Sequence, residues 1–333
     1  MSLIFSLAFI IGASLLATFF AQKLRQPAVV ALIILGVTIG TPFLREIFLG
    51  PNVDFIKKIG EAGLICLMFL AGLEISWSML YQEKKEAALV ASFAAALPFI
   101  LGFLAFTLLG FPFSTALLVV VCISVTAEAT KARVLLGIKK LKTKVGSLMI
   151  GAGIIDDILG ISSLFFISYF FAGSFKFDEL FLLLAAIVAF FAGILVHKAV
   201  GRKMAKVKYL EKFLLFFVVP FFFVAMGIDF SFPSLAVSPF ILLLIVLIAI
   251  LGKIGGTLLT KPFLHLSFKK LYLIGWGMNS RGAVGLAIAF IGFKIGLLPT
   301  DIYSAIIVTA LLTTLIFPFV LTGMIKKDPL IME

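Results

Sequence analysis

Histidine, cysteine and tryptophan are scarce in this chain, with two of each among 333 residues. Cys66 and Cys122 both lie in apolar runs, without the spacing of a metal cluster or the numbers for a disulfide framework, and read as packing residues. No nucleophile stands with a base, and the 28 glycines are dispersed through apolar segments, so no phosphate-cradling loop is formed. An enzyme is not expected, and neither is a bound cofactor. Charge is thin as well: Asp, Glu, Lys and Arg make up 13% of the residues, where soluble domains hold about 25%.

What fills the chain is hydrocarbon. Hydrophobic residues reach 62%, there are 38 phenylalanines, and the mean hydropathy is +1.25. A bilayer core of roughly 30 Å is crossed by about 20 apolar residues at a rise of about 1.5 Å each. Segments of that length recur with short loops between them, at about 3–22, 27–45, 58–80, 87–109, 113–137, 145–172, 179–197, 211–227, 237–260, 270–292 and 301–325. The pattern predicts an all-α polytopic membrane protein of about 11 transmembrane helices, forming one transmembrane domain over residues 1–333.

Basic residues assign the sides. Loops after odd-numbered spans, together with the C-terminus, hold 19 Lys and Arg, and the opposite loops hold five. The N-terminus is therefore expected outside and the C-terminus in the cytoplasm. The first span has no basic residue before it and is followed by Lys23 and Arg25, as in a retained anchor. The net charge of +12 follows from this topology and from contact with anionic lipid, not from nucleic acid. Four basic residues remain inside spans: Lys131, Arg133, Lys253 and Arg281.

Two adjacent aspartates, Asp156 and Asp157, lie in the apolar run from Val145 to Ala172. Asp156 is 12 residues beyond Lys144, on the order of 18 Å into the membrane at helical rise. A carboxylate at that depth costs a few kcal/mol or more unless a proton, a partner charge or a cation occupies it. The two side chains leave the helix roughly 100° apart, so they need not share one partner. A group able to hold either a proton or a cation, but not both, suffices for exchange.

The third and eighth spans share a short pattern. Aligning Gly72 with Gly227 places Glu74 on Asp229 and Ser76 on Ser231, and the topology makes the two spans opposite in direction. Extending the register gives a first repeat at 58–172, a connector helix at 179–197 and a second, inverted repeat at 211–325. The core bundle is then about 87–172 and 237–325. Inverted repeats mark secondary transporters, whose paired broken helices hold the substrate. The fifth span carries Thr126, Glu128, Thr130 and Lys131 at mid-depth; the tenth carries Gly275, Gly277, Asn279, Ser280, Arg281 and Gly282. These two are expected to be interrupted and to cross, although glycines alone also serve close helix packing.

Lys253, flanked by Gly252, Gly255 and Gly256, is read as the counter-ion of one aspartate, with snorkelling to nearby headgroups as the alternative. Glu128 and Lys131 stand at i and i+3 and can pair with each other. Alternatively Lys131 neutralises an aspartate, or Glu128 adds a third carboxylate to the site. Arg281 keeps its proton and is read as a pin for carbonyls or for Glu128.

The motifs GIIDDILGI, the upstream Thr126 with ARVL, CLMFLAGLE, FFVAMGID, the Gly252-Lys253 pair and GMNSRGAVGL stand in an order that closely resembles the monovalent cation:proton antiporter family, in its branch of bacterial sodium/proton exchangers and potassium-efflux antiporters. The resemblance covers nearly the whole chain. It implies a sodium/proton antiporter fold, with Asp157 binding the transported cation, Asp156 paired with Lys253, and Thr126 lending oxygen. Asn279, Arg281, Glu128 and Lys131 become modulators of that site. It further implies electrogenic exchange of Na+, with Li+ and K+ as alternatives, for H+, an elevator movement, a homodimer, and the inner membrane of a prokaryotic cell. The chain departs from the family by about two helices, since nothing between Val196 and Pro220 leaves room for them. Ser280 stands where the family commonly has proline. Two rival readings are a sodium-coupled organic-anion symporter holding its substrate on Arg281 and Lys131, and a non-transporting membrane subunit with closed ion pairs.

Overall fold

The computed structural model describes residues 2–24, 26–74, 84–126, 128–171, 176–200 and 204–333. Arg25, the segment 75–83 with Ser76 and the end of the third span, Ala172 at the end of the sixth, and residues 201–203 lie outside the described residues. All regular structure among the described residues is helical, and the chain divides into two compact units.

The first unit comprises residues 1–75 and 177–231. It contains α1 (Leu3–Lys23), α2 (Ala28–Gly40), α3 (Pro42–Phe48), α4 (Val53–Leu73), α9 (Phe177–Val200), α10 (Met204–Phe217) and α11 (Val219–Ile228). Small residues set its crossings. A Cβ on Gly36 would overlap the Val224 carbonyl and one on Gly227 the Ile33 carbonyl, so α2 and α11 meet backbone to backbone. Gly72 and Gly193 do the same for α4 and α9, against the carbonyls of Phe190 and Phe69. Small residues at such crossings maximise dispersion contact where lipid tails supply no hydrophobic drive. The expected connector thus packs on α4 as α2 packs on α11. Gly60 and Gly63 seat α11 antiparallel on α4, against Ala225 and Phe222. Around the α1 and α2 side, Ile10, Ile39, Ile56, Phe221 and Val224 form a closed apolar cluster.

The second unit comprises residues 76–176 and 232–333. Its long helices are α5 (Lys84–Leu108), α8 (Lys144–Phe171), α13 (Pro239–Leu259) and α16 (Thr300–Lys327). The fifth and tenth spans are each split, into α6 (Phe113–Ser124) and α7 (Glu128–Gly137), and into α14 (Phe268–Gly277) and α15 (Ala283–Lys294). A short α12 (Phe232–Val237) precedes α13. Packing within the unit repeats: α5 lies on α6 and α8 as α13 lies on α14 and α16. α5 and α13 run antiparallel, with Gly252 and Gly256 of α13 fitted against Pro98 and Ala94. Those glycines therefore seat α5 and leave the Lys253 side chain to face elsewhere.

Among the described residues seven helical segments are long and apolar enough to cross a membrane, with α10 and α11 counted together over Val207–Ile228, or eight if the bent pair α2 and α3 counts as one span. α4 falls outside this count because Lys57, Lys58 and Glu61 lie in its first half. The broken helices are too short individually, each half holding 10 or 12 residues.

Candidate functional site

Between Phe113 and Gly137 the sequence has neither glycine nor proline, yet helix stops at Ser124 and resumes at Glu128, with Val125 extended. Side chains from elsewhere hold this break open. The last carbonyls of a helix have no helical donor and carry its partial negative charge. Arg281 supplies both donors and charge: Nη1 donates to the carbonyls of Ile123 and Val125, and Nη2 donates to Ala249 of α13 at 2.9 Å. At the opposite lip Glu128 lies in the first turn of α7, where negative charge is favoured.

Arg281 itself belongs to the second break, residues 278–282 between α14 and α15. One hydroxyl of α16 fixes its backbone there: Thr314 Oγ1 donates to the Arg281 carbonyl at 2.8 Å and accepts from the Arg281 amide at 3.3 Å. α6 and α15 pack across one another, with Gly285 against the Cys122 carbonyl. Both interruptions expected from the sequence are thus present, and each is secured by partners on other helices.

Beside them α8 carries the aspartates. Lys253 Nζ lies 2.9 Å from Asp156 Oδ2 and 3.2 Å from Oδ1, and Thr126 Oγ1 donates to Asp156 Oδ2 at 2.8 Å. Asp156, Thr126 and Lys253 are at most 1% exposed, so Lys253 does not snorkel. A buried pair of this kind gains little over well-packed apolar groups, but removing either partner strands a charge in low dielectric. Asp157, on the adjoining position, is also buried. Its carboxylate is turned about 100° away around the helix.

Lys131 is fully buried. It reaches across to α8, donating to the Met149 carbonyl at 3.3 Å, and touches Thr126 Oγ1 at 3.4 Å and Met278 Sδ at 3.6 Å. Asn279 Nδ2 donates to the carbonyls of Gly275 and Ile250, while its Oδ1 is buried and accepts nothing among the described residues. Direct contacts therefore join Thr126, Lys131, Asp156 and Lys253. Arg281 lies within electrostatic range of Asp156 and Lys253, but its guanidinium is engaged with carbonyls.

Three features escaped the sequence. Gly153 makes room for the Lys131 ammonium, and its only signal is its position three and four residues before the aspartates. Thr314 sits in an apolar helix where threonines ordinarily bond their own turn. In the other unit Lys57, counted from sequence as a loop charge, forms an ion pair with Asp229 at the end of α11.

The chain matches the family model described as "Sodium/hydrogen exchanger, transmembrane" over residues 10–202 and 164–327. Among curated proteins it is similar to the Na(+)/H(+)-K(+) antiporter GerN of Bacillus cereus, 28% identical over 94% of both chains. It is also similar to a Na(+)/H(+) antiporter of Enterococcus hirae, 27% identical over 96% of this chain and 97% of the relative. The alignment with GerN spans 367 positions, more than this chain's 333 residues, so GerN carries segments that this chain lacks. Among solved structures the sodium proton antiporter MjNhaP1 of Methanocaldococcus jannaschii superposes with a TM-score of 0.69 at 19% identity, covering 98% of each chain, which establishes a shared fold. With the family match running almost end to end over an all-helical structure with two broken helices, the chain belongs to the sodium/hydrogen exchanger family.

Proposed function

We propose that this protein exchanges a monovalent cation for protons by alternating access, with Na+ as the leading substrate and Li+ and K+ as alternatives. One observation carries the proposal: a buried ion pair, Asp156 with Lys253, placed beside a second buried carboxylate where two helices are broken. A carboxylate cannot retain a proton and a metal cation at once, so cation entry at Asp157 releases what was bound there. Thr126, now donating to Asp156, turns its oxygen to the cation when it arrives. Lys253 then gives up Asp156 and loses its own proton, which with the proton displaced from Asp157 makes two protons released per cation bound, and the exchange is electrogenic.

Every residue of this site lies in the unit 76–176 and 232–333, which we take as the ion-carrying core. In the same proposal that core moves in elevator fashion, the protein works as a homodimer in a prokaryotic inner membrane, and the N-terminus faces outward, following the 19 to five bias of basic residues. We further propose that the inverted repeat includes α2 and α9, a reading supported by α9 packing on α4 as α2 packs on α11.

An organic-anion symporter is disfavoured because Arg281 and Lys131, the two cations it would use, are spent on protein carbonyls. Purified protein in liposomes, under an imposed pH gradient, distinguishes the readings. Antiport predicts proton flux on adding Na+ alone. Flux that appears only with an organic anion contradicts it, and so does the absence of any cation-dependent flux.

A further inference from the structure

Lys131 is the one member of the cluster that the exchange cycle above leaves unused. Its ammonium is enclosed completely and is held by groups from three places: the Met149 carbonyl on α8, Thr126 at the first break and Met278 at the second. A Cβ built on Gly153 would overlap Lys131 Nζ, so the ammonium lies directly on the surface of α8. Gly153 precedes Asp156 by three residues and Asp157 by four, placing all three on neighbouring positions of one helix face. The ammonium and Asp156 Oδ2 meet the same Thr126 hydroxyl, at 3.4 and 2.8 Å, and Glu128, Asp156 and Asp157 all act on the ammonium electrostatically.

Its oxygen partners matter as much as its charge. Broken-helix transporters hold a dehydrated alkali cation at their unwound segments; Thr126 lies in such a segment, and Lys131 already sets beside its hydroxyl a cation that cannot leave. The carboxylates of Glu128, Asp156 and Asp157 lie in the field of Lys131, Lys253 and Arg281, so removing Lys131 takes one positive charge away from them.

We propose that Lys131 sets the affinity of the transport site: it is a tethered cation that competes with the transported one at the carboxylates and weakens its binding. The proposal rests on the reading of Asp156 and Asp157 as the transport site, and it assigns Gly153 the role of admitting the ammonium to α8.

The test is Na+-dependent proton flux in proteoliposomes at a fixed alkaline pH, with KM and kcat separated. Lys131→Met and Lys131→Gln are expected to lower the KM for Na+ roughly tenfold and to slow turnover, because the cation leaves less readily. Lys131→Arg retains the charge and is expected to stay nearer the parent KM. Gly153→Ala, which displaces the ammonium, is expected to lower KM as well and to have no further effect on KM in the Lys131→Met background. An unchanged or raised KM in the neutral Lys131 variants that fold overturns the proposal, as does independence of the Gly153→Ala and Lys131→Met effects. Asp157→Asn separates the two levels. If exchange survives in that variant, the transport-site reading fails; if exchange is lost while the Lys131 variants keep the parent KM, the tethered cation alone fails.

Discussion

Lys253 and Asp156 face each other across α13 and α8 at 2.9 Å, with both side chains at 1% exposure or less. Such a pair is costly to break from one side only. Lys253→Met is expected to destabilise the protein by about 3–5 kcal/mol, and Asp156→Asn by a smaller amount because Thr126 can still bond the amide. The double variant is expected to be more stable than the sum of the two losses, by at least ~1 kcal/mol, since neither charge is then stranded. Thermal unfolding of the four proteins in detergent closes the cycle; strict additivity would show that the two groups act independently.

Arg281 holds α6 and α13 through three carbonyls. Arg281→Met takes the guanidinium donors away from them, and each charged hydrogen bond lost costs about 1.5–3 kcal/mol. Arg281→Lys keeps the charge but not the planar fork, and is expected to restore less than half of the loss. Unfolding midpoints of the two variants provide the check, and equal stability of Lys and Arg at this position would argue against the clamp.

Thr126→Val removes the hydroxyl that donates to Asp156 Oδ2 while keeping the shape of the side chain. A cost of roughly 1.5–3 kcal/mol is expected from loss of a charge-assisted bond, together with a raised KM for the cation. Thr126→Ser is expected to recover both. Recovery of stability without recovery of KM would confine Thr126 to a scaffolding role.

Gly72→Leu is expected to prevent α4 from meeting α9, because the side chain would occupy the place of the Phe190 carbonyl. Overpacking by several methylenes costs about 1–3 kcal/mol or more, so expression of folded protein should fall sharply. Gly12→Ala, where nothing lies within 4 Å, should be tolerated or slightly stabilising. Size-exclusion profiles of the two variants side by side test the contrast.

Much of the site was legible because burying charge in hydrocarbon is expensive. Asp156, Asp157, Lys253 and Arg281 stand out against apolar spans, and the polar cluster from Thr126 to Lys131 marks an interruption. The position of that interruption was not legible. No glycine or proline signals it, and it is fixed by Arg281, which is 155 residues away from Thr126 in sequence. Consequently Glu128 opens a helix instead of lying within one, and Lys131 turns toward α8. Hydropathy gives α9 as one apolar span but says nothing of its neighbour. Only the reciprocal fit of Gly72 and Gly193 against opposing carbonyls shows that it lies on α4. The ion pair of Lys57 with Asp229 was hidden for the same reason, since its partners sit on α4 and at the end of α11 with no local pattern linking them.

The most direct measurement is Na+-driven proton flux through Asp157→Asn in proteoliposomes, compared with the parent protein at the same reconstitution density. The account expects flux to fall to the level of empty liposomes while the variant keeps a folded, monodisperse profile. Flux at the parent rate from a folded Asp157→Asn protein would contradict it.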